Sequence, residues 1–241
     1  MPKKFRMFAG PNGSGKSTLI QEVKKNYKVG AFINADEIEV QLNNHKFLDI
    51  SLFTKIPIRQ NDWNLFIENV KQTDSRYKES FPEILFRENF IVCKNSLNSY
   101  QAALLAEFLR FRLLEEENTF SFETVMSHPS KVDFLKTAKA AGFITYLYFI
   151  CTQDPKINIQ RILNRVEKGG HHVDHEKTLQ RYYRSLELLF DAFMIADRAF
   201  IIDSSNMSRE VIVEKNKNTI TIHNHNVPEW VASCLLDKLE I

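Results

Sequence analysis

Hydrophobic positions along the chain fall into short continuous runs separated by longer amphipathic stretches. Residues 4–9 form an apolar run short enough to be a buried strand, and residues 16–27 carry Leu19, Ile20 and Val23 on one helical face. Gly30 closes that helix, and Ala31, Phe32 and Ile33 form a second strand that ends on Asn34-Ala35-Asp36. The segment 40–98 is patterned less clearly: two prolines, Trp63 and several phenylalanines lie among polar stretches, with helical spacing near 62–71 and 83–90. Residues 101–117 contain no Gly or Pro and space their apolar residues as a helix does. A third strand is expected at 120–124, a helix at 129–141 stopped by Gly142, and a fully buried strand at 143–150. A helix over 155–168 ends at Gly169-Gly170. One continuous helix from an Asp174 cap to about residue 196 follows. Residues 199–203 read as a last sheet strand, 210–224 as a hairpin around residues 215–218, and 228–240 as a closing helix.

Strands alternating with helices, the strands nearly uniformly apolar, predict an α/β domain whose parallel sheet is covered by helices on both faces. Ligands of such sheets bind at the carboxyl ends of the strands. Asn34-Ala35-Asp36, Glu123-Thr124, residues 151–154 and Asp203-Ser204 all fall at such ends.

Composition narrows the picture in one place. Of 241 residues only seven are glycine; three of these, Gly10, Gly13 and Gly15, fall within six residues, and two more are the adjacent Gly169 and Gly170. Glycine concentrated in this way marks places where the backbone takes conformations other residues resist. The charge balance, 32 Lys+Arg against 30 Asp+Glu, gives no footprint of a nucleic-acid or polyanion binder. No apolar run approaches the length of a membrane span, and the basic N-terminus lacks a signal-peptide apolar region. Cys93, Cys151 and Cys234 are too scattered for a disulfide framework or a zinc site, so a reduced, cytoplasmic setting is expected.

Gly10-Pro11-Asn12-Gly13-Ser14-Gly15-Lys16-Ser17 satisfies G-x-x-x-x-G-K-[ST] between a strand and a helix. Glycines let successive N–H groups wrap a phosphate, and the helix N-terminus adds its positive end. Lys16 would reach the β- and γ-phosphates of ATP and the Ser17 hydroxyl would ligate Mg2+. The expected architecture is therefore a P-loop NTPase or kinase fold, with a helical insertion after strand two and a C-terminal hairpin and helix. No Asn-Lys-x-Asp guanine reader and no Leu-Ser-Gly-Gly stretch appears, which disfavours GTPases and transporter-type ATPases.

Late in the chain Arg161 and Arg165 are i, i+4 on one helix, and Arg181 and Arg184 are i, i+3 on the next, with Gly169-Gly170-His171-His172 between them. Two helices on a glycine hinge could carry guanidiniums onto the phosphates as a lid. His171, His172 and His175 lack the partners of a known metal site and read as loop positions near the phosphates. On the acceptor side, Asp36 could orient a hydroxyl nucleophile and take its proton; its structural alternative is a helix N-cap. Two carboxylates compete for the Mg2+ side, Glu123 and Asp203. Strand order favours Glu123, leaving Asp203 to line an adenine pocket.

These motifs together resemble the zeta-toxin family of small-molecule kinases, in its stand-alone bacterial branch. The matching residues are 9–18 (Ala-Gly-Pro-Asn-Gly-Ser-Gly-Lys-Ser-Thr), 33–38 (Ile-Asn-Ala-Asp-Glu-Ile), 121–124 (Ser-Phe-Glu-Thr), 165–173, 181–186 and 203–205. The resemblance covers roughly residues 4–39 and 100–206; the expected layout is a single kinase domain over 1–241, with an acceptor-side insertion at 40–98 that is longer than the family pattern leads one to expect, a lid at 161–186 and a C-terminal hairpin and helix at 207–241. The resemblance implies ATP-dependent phosphorylation of a nucleotide-sugar hydroxyl, UDP-N-acetylglucosamine in the best-known members. Asp36 would be the base, with Asn34, Glu123 and Thr124 at the acceptor. Residues Gly10 to Thr18 would hold ATP and Mg2+, and the lid arginines would hold the phosphates. A possible antitoxin protein is the implied partner. Rival readings are a kinase of the same fold on a nucleotide, dinucleotide or antibiotic, and an ATP-binding regulatory module that works through a protein partner at 40–98. An RNA-end kinase would want a basic acceptor groove, which 40–98 does not offer.

Overall fold

In a computed structural model the described residues are 2–73, 83–116, 118–167, 174–206, 208–224 and 226–239. In chain order the elements are β1 (Lys4–Ala9), α1 (Lys16–Asn26), β2 (Ala31–Ile33), α2 (Ala35–His45), β3 (Phe47–Asp49), α3 (Gln60–Thr73), β4 (Ile84–Arg87) and β5 (Phe90–Cys93). Then come α4 (Ser99–Glu115), β6 (Phe120–Thr124), α5 (Ser130–Ala140), β7 (Ile144–Cys151), α6 (Pro155–Val166), α7 (His175–Glu187) and α8 (Leu189–Ile195). The chain closes with β8 (Arg198–Asp203), β9 (Glu210–Asn216), β10 (Thr219–Ile222) and α9 (Glu229–Val231). The chain divides into two compact units, one of residues 1–29 and 119–241, the other of residues 30–118.

In the first unit six strands lie in the order β10-β9-β8-β7-β1-β6. β8, β7, β1 and β6 run parallel, with Phe8 opposite Glu123 and Ala9 opposite Thr124. β9 and β10 add an antiparallel edge, which is the expected hairpin. The sheet follows from the apolar runs: Phe5, Met7, Phe120, Phe122, Leu147 and Phe149 are all fully buried. Phe5, Phe120, Phe122 and Phe134 pack ring against ring at 5.0–6.2 Å, which seats α5 on the sheet. Phe8, Tyr148 and Phe200 stack across three strands on the other face. Among the described residues no helix is long and apolar enough to cross a membrane.

The segment expected as one helix from 174 to 196 is two, α7 and α8, broken at Leu188. The bend turns Leu189, Ala192 and Phe193 fully into the core, and burial of those side chains outweighs one continuous hydrogen-bond ladder. Asp174 does cap α7, accepting a hydrogen bond from Lys177 N at 2.9 Å. The closing segment starts as α9 and continues through a π turn, Ala232–Leu236, and a 3-10 turn, Asp237–Leu239.

The second unit carries a small antiparallel sheet, β3-β5-β4, beside α2, α3 and α4. Residues 83–90, expected as helix, are instead β4 and the turn into β5, with Ile84 opposite Cys93. Glu88 takes a left-handed φ of 52° in that turn. Trp63, Phe86 and Phe108 form its aromatic core at 5.3–6.0 Å. Asn98 and Gln101 form a reciprocal capping box on α4. The buried Glu116 carboxylate accepts from Thr54 Oγ1 and from the amide of Lys55 at 3.1 Å, tying the loop before α3 to the end of α4.

Candidate functional site

The phosphate loop is built at the carboxyl end of β1. Gly10, Gly13 and Gly15 take φ values of 141°, 77° and 94°, a region L side chains rarely enter. At two of them there is no room either. A Cβ on Gly10 would stand 2.0 Å from the Ile150 carbonyl oxygen, and one on Gly13 would stand 2.4 Å from that of Asn158. Gly15 is the N-cap of α1 and supplies no capping side chain, so the first amides of the 11-residue α1 end on the loop without one. Lys16 is buried, its ammonium 2.9 Å from the Pro11 carbonyl and 3.8 Å from Glu123 Oε1. Ser17 and Thr18 are exposed at the helix start. Asn12 is half-buried and Ser14 fully buried, and among the described residues the Ser14 hydroxyl has no hydrogen-bond partner.

Two carbonyls of the loop, those of Asn12 and Ser14, are held from outside. Asn158 Nδ2, on α6, donates to the Asn12 carbonyl at 2.7 Å. Ser204 Oγ, after β8, donates to the Ser14 carbonyl at 2.7 Å. Arg161 on α6 donates to the Ser204 carbonyl at 2.7 Å. Sequence reasoning placed Arg161 on phosphate; here its guanidinium braces the loop after β8. Asn158 carries no motif, whereas Ser204 lies in the Asp-Ser-Ser stretch at the end of the last parallel strand. For Asn158 the signal nearest in the chain is Arg161, one turn along the same helix.

Triphosphate chemistry fits this cradle: positive-φ glycines, an uncapped helix start, a buried ammonium and an orphaned Ser14 hydroxyl are its recognition elements. Mg2+ would find a smaller protein donor set, the Ser17 hydroxyl and the Glu123 carboxylate. That suits an ion which draws most of its ligands from phosphate and water. Glu123 and Thr124 end β6 beside β1, and Thr124 Oγ1 accepts from Met126 N at 3.0 Å. Asp203 lies two strands from β1, across β7. Its carboxylate accepts from Trp230 Nε1 at 2.8 Å, from Ser205 N at 3.0 Å and from Ser205 Oγ at 2.8 Å.

In the lid region Arg165 and Arg184 are exposed, and Arg181 is half-buried. Gly169, Gly170, His171 and His172 lie outside the described residues. α7 is anchored below by Tyr182, whose hydroxyl donates to the Thr152 carbonyl at 2.5 Å. Burial pushes that phenol and the Cys151 thiol well above their ordinary ranges, so both stay protonated.

In the second unit Asp36 is exposed in the first turn of α2. The N-cap is Asn34, whose side chain accepts from Asp36 N at 2.9 Å, so the capping role open to Asp36 in the sequence belongs to Asn34. Asn34 also lines a cavity of about 240 Å³ with Glu37, Gln41, Phe47, Asp49 and Phe53. Among the described residues this lining holds two carboxylates and no lysine, arginine or histidine.

The chain is similar over nearly its full length to several solved structures. Against AvrRxo1-ORF1 in its complex with AvrRxo1-ORF2 the TM-score is 0.60, with 13% identity over 99% of this chain. A second crystal structure of that complex, determined with ATP, gives a TM-score of 0.58 and 12% identity over 93% of this chain. The chain spans 66% and 61% of the lengths of those two chains. The PezAT chromosomal toxin–antitoxin system of Streptococcus pneumoniae gives a TM-score of 0.55 at 16% identity, covering 98% of this chain and 79% of that one. At 12–16% identity the likeness to these structures is one of fold. No protein-family model matches the chain. An uncharacterized protein of Haemophilus influenzae is 36% identical over 63 residues, which is 26% of this chain and 45% of that relative.

Proposed function

We propose that the protein is an ATP-dependent phosphotransferase of the zeta-toxin type, moving the γ-phosphoryl of ATP to a hydroxyl of a small molecule. The observation that carries this is the loop from Gly10 to Ser17. Its three left-handed glycines, its uncapped helix start and its buried Lys16 beside Glu123 leave little other use for such a backbone. Lys16 holds the β- and γ-phosphates. Ser17 and Glu123 are the groups that would hold Mg2+, whose charge would offset that of the transferring phosphoryl. Arg165, Arg181 and Arg184 of the lid helices meet charge that grows on the phosphoryl oxygens. Asp36 orients the acceptor hydroxyl and takes its proton as the new P–O bond forms, with Asn34 and Thr124 at the acceptor.

A nucleotide-sugar of the UDP-N-acetylglucosamine kind is the acceptor that the resemblance supports. The cavity by Asn34 favours a second reading, the same chemistry on an acceptor that is neutral or cationic where it meets Glu37 and Asp49. Two carboxylates without a basic residue disfavour a pyrophosphate there. The likeness to a structure of a chromosomal toxin–antitoxin system supports an antitoxin-like partner. Incubation with radiolabelled ATP and a panel of nucleotide-sugars, nucleotides and aminated sugars decides among these. Label on a nucleotide-sugar supports the first acceptor and label on an aminated sugar the second. Label on none, with ATP bound, removes the kinase reading.

A further inference from the structure

We propose that α6 aims the phosphate loop, with Asn158 as its positioning residue and Ser204 as the second brace. This rests on the loop's reading as an ATP site. In a trans peptide the carbonyl of one residue and the N–H of the next point in opposite directions. Fixing the Asn12 carbonyl therefore fixes the Gly13 N–H, and fixing the Ser14 carbonyl fixes the Gly15 N–H. Asn158 Nδ2 holds the first carbonyl and Ser204 Oγ holds the second, each at 2.7 Å. Both N–H groups are thereby turned away from their braces. A phosphate loop works only when its amides converge on the anion.

Asn158 is built for this task. It is fully buried, and its backbone carbonyl abuts the place where a Gly13 side chain would be, so loop and helix touch without a gap. Its Oδ1 is engaged by the Thr152 hydroxyl, which fixes which end of the amide faces Asn12. Thr152 in turn accepts the Tyr182 hydroxyl of α7 on its carbonyl. The second brace closes a parallel route, since Arg161, one helical turn beyond Asn158 on α6, donates to the Ser204 carbonyl. α6 is thus bonded directly to the Asn12 carbonyl, and α7 reaches the same brace through Thr152.

The sharp test is Asn158→Asp, which keeps shape and the Thr152 bond but cannot donate to Asn12 when ionised. ATP with Mg2+ is titrated into the parent protein, Asn158→Asp and Ser204→Ala by calorimetry, and thermal midpoints are read on the same preparations. The expected result is an ATP dissociation constant raised about tenfold or more in Asn158→Asp, alongside a lowered apo midpoint because the buried carboxylate faces the Asn12 carbonyl. Ser204→Ala should show a smaller shift in the same direction. A purely structural role would lower the midpoint and leave ATP affinity alone, and that outcome overturns the proposal while the ATP reading stands. Should Asn158→Asp fail to fold, unchanged ATP affinity in Ser204→Ala overturns it equally. A parent protein that does not bind ATP removes the underlying reading, and the proposal with it.

Discussion

At the scale of single residues the site is decided by what the backbone permits. Gly13 shows this most directly: its φ of 77° is strained for any L side chain, and an added methyl would meet the Asn158 carbonyl oxygen at 2.4 Å. Gly13→Ala should therefore lower both the thermal midpoint and ATP affinity, measured by calorimetry and nucleotide titration. Lys16→Ala acts differently. It removes the cation at the phosphates and should abolish transfer in the radiolabel assay, while the exposed start of α1 keeps its helix. Near-normal turnover in that variant would end the kinase reading. The loop was legible in the sequence because its chemistry needs glycine, lysine and serine at fixed spacing. Asn158 was not legible. A single asparagine inside an amphipathic helix has no pattern of its own, and its partners sit 6 and 146 residues away in the chain.

At the scale of elements, the strands of the parallel sheet read true because burial on both faces leaves continuous apolar runs. Residues 83–90 did not, because a short apolar run suits helix and strand alike and only pairing with β5 decides it. The lid helices carry an element-scale prediction. Arg165→Ala and Arg184→Ala should mainly slow turnover and change ATP affinity little, since lid guanidiniums act where transition-state charge develops. Full turnover in both would make these exposed arginines an ordinary solvated face. A second prediction concerns the entry to β8. Burial raises the Asp197 pKa, but the Thr145 amide and hydroxyl and the Lys139 ammonium, 3.0 Å away, outweigh it and hold the carboxyl below its ordinary value. A depressed folded pKa contributes stability that is fully present above the unfolded value, about 3.9, and is lost as pH falls through the folded one. Asp197→Asn should thus melt below the parent at pH 7, and the gap should narrow as pH falls below about 4.

At the scale of the whole molecule the proposed roles divide between the two compact units. The triphosphate cradle, Glu123, the α6 braces and the lid helices all belong to residues 1–29 and 119–241. Asn34, Asp36 and the Phe47–Asp49 cavity wall belong to residues 30–118. With the proposed roles so divided, ATP binding and acceptor activation should be lost separately. Asp36→Asn is the discriminating change. Asn34 supplies the cap of α2, so the helix does not need the Asp36 carboxylate for its N-terminus, and asparagine keeps its size. ATP affinity should stay at the parent value, because every group assigned to the triphosphate lies in the other unit. Phosphoryl transfer should fall by roughly 10²–10⁴-fold, the loss expected for a general base. Lys16→Ala on the same preparation scale should show the reverse order, with affinity lost first. If Asp36→Asn turns over within a few-fold of the parent, the base is not Asp36. Glu123, at the end of β6 and 3.8 Å from the Lys16 ammonium, then becomes the carboxylate to test, with the prediction that its loss moves affinity and rate together.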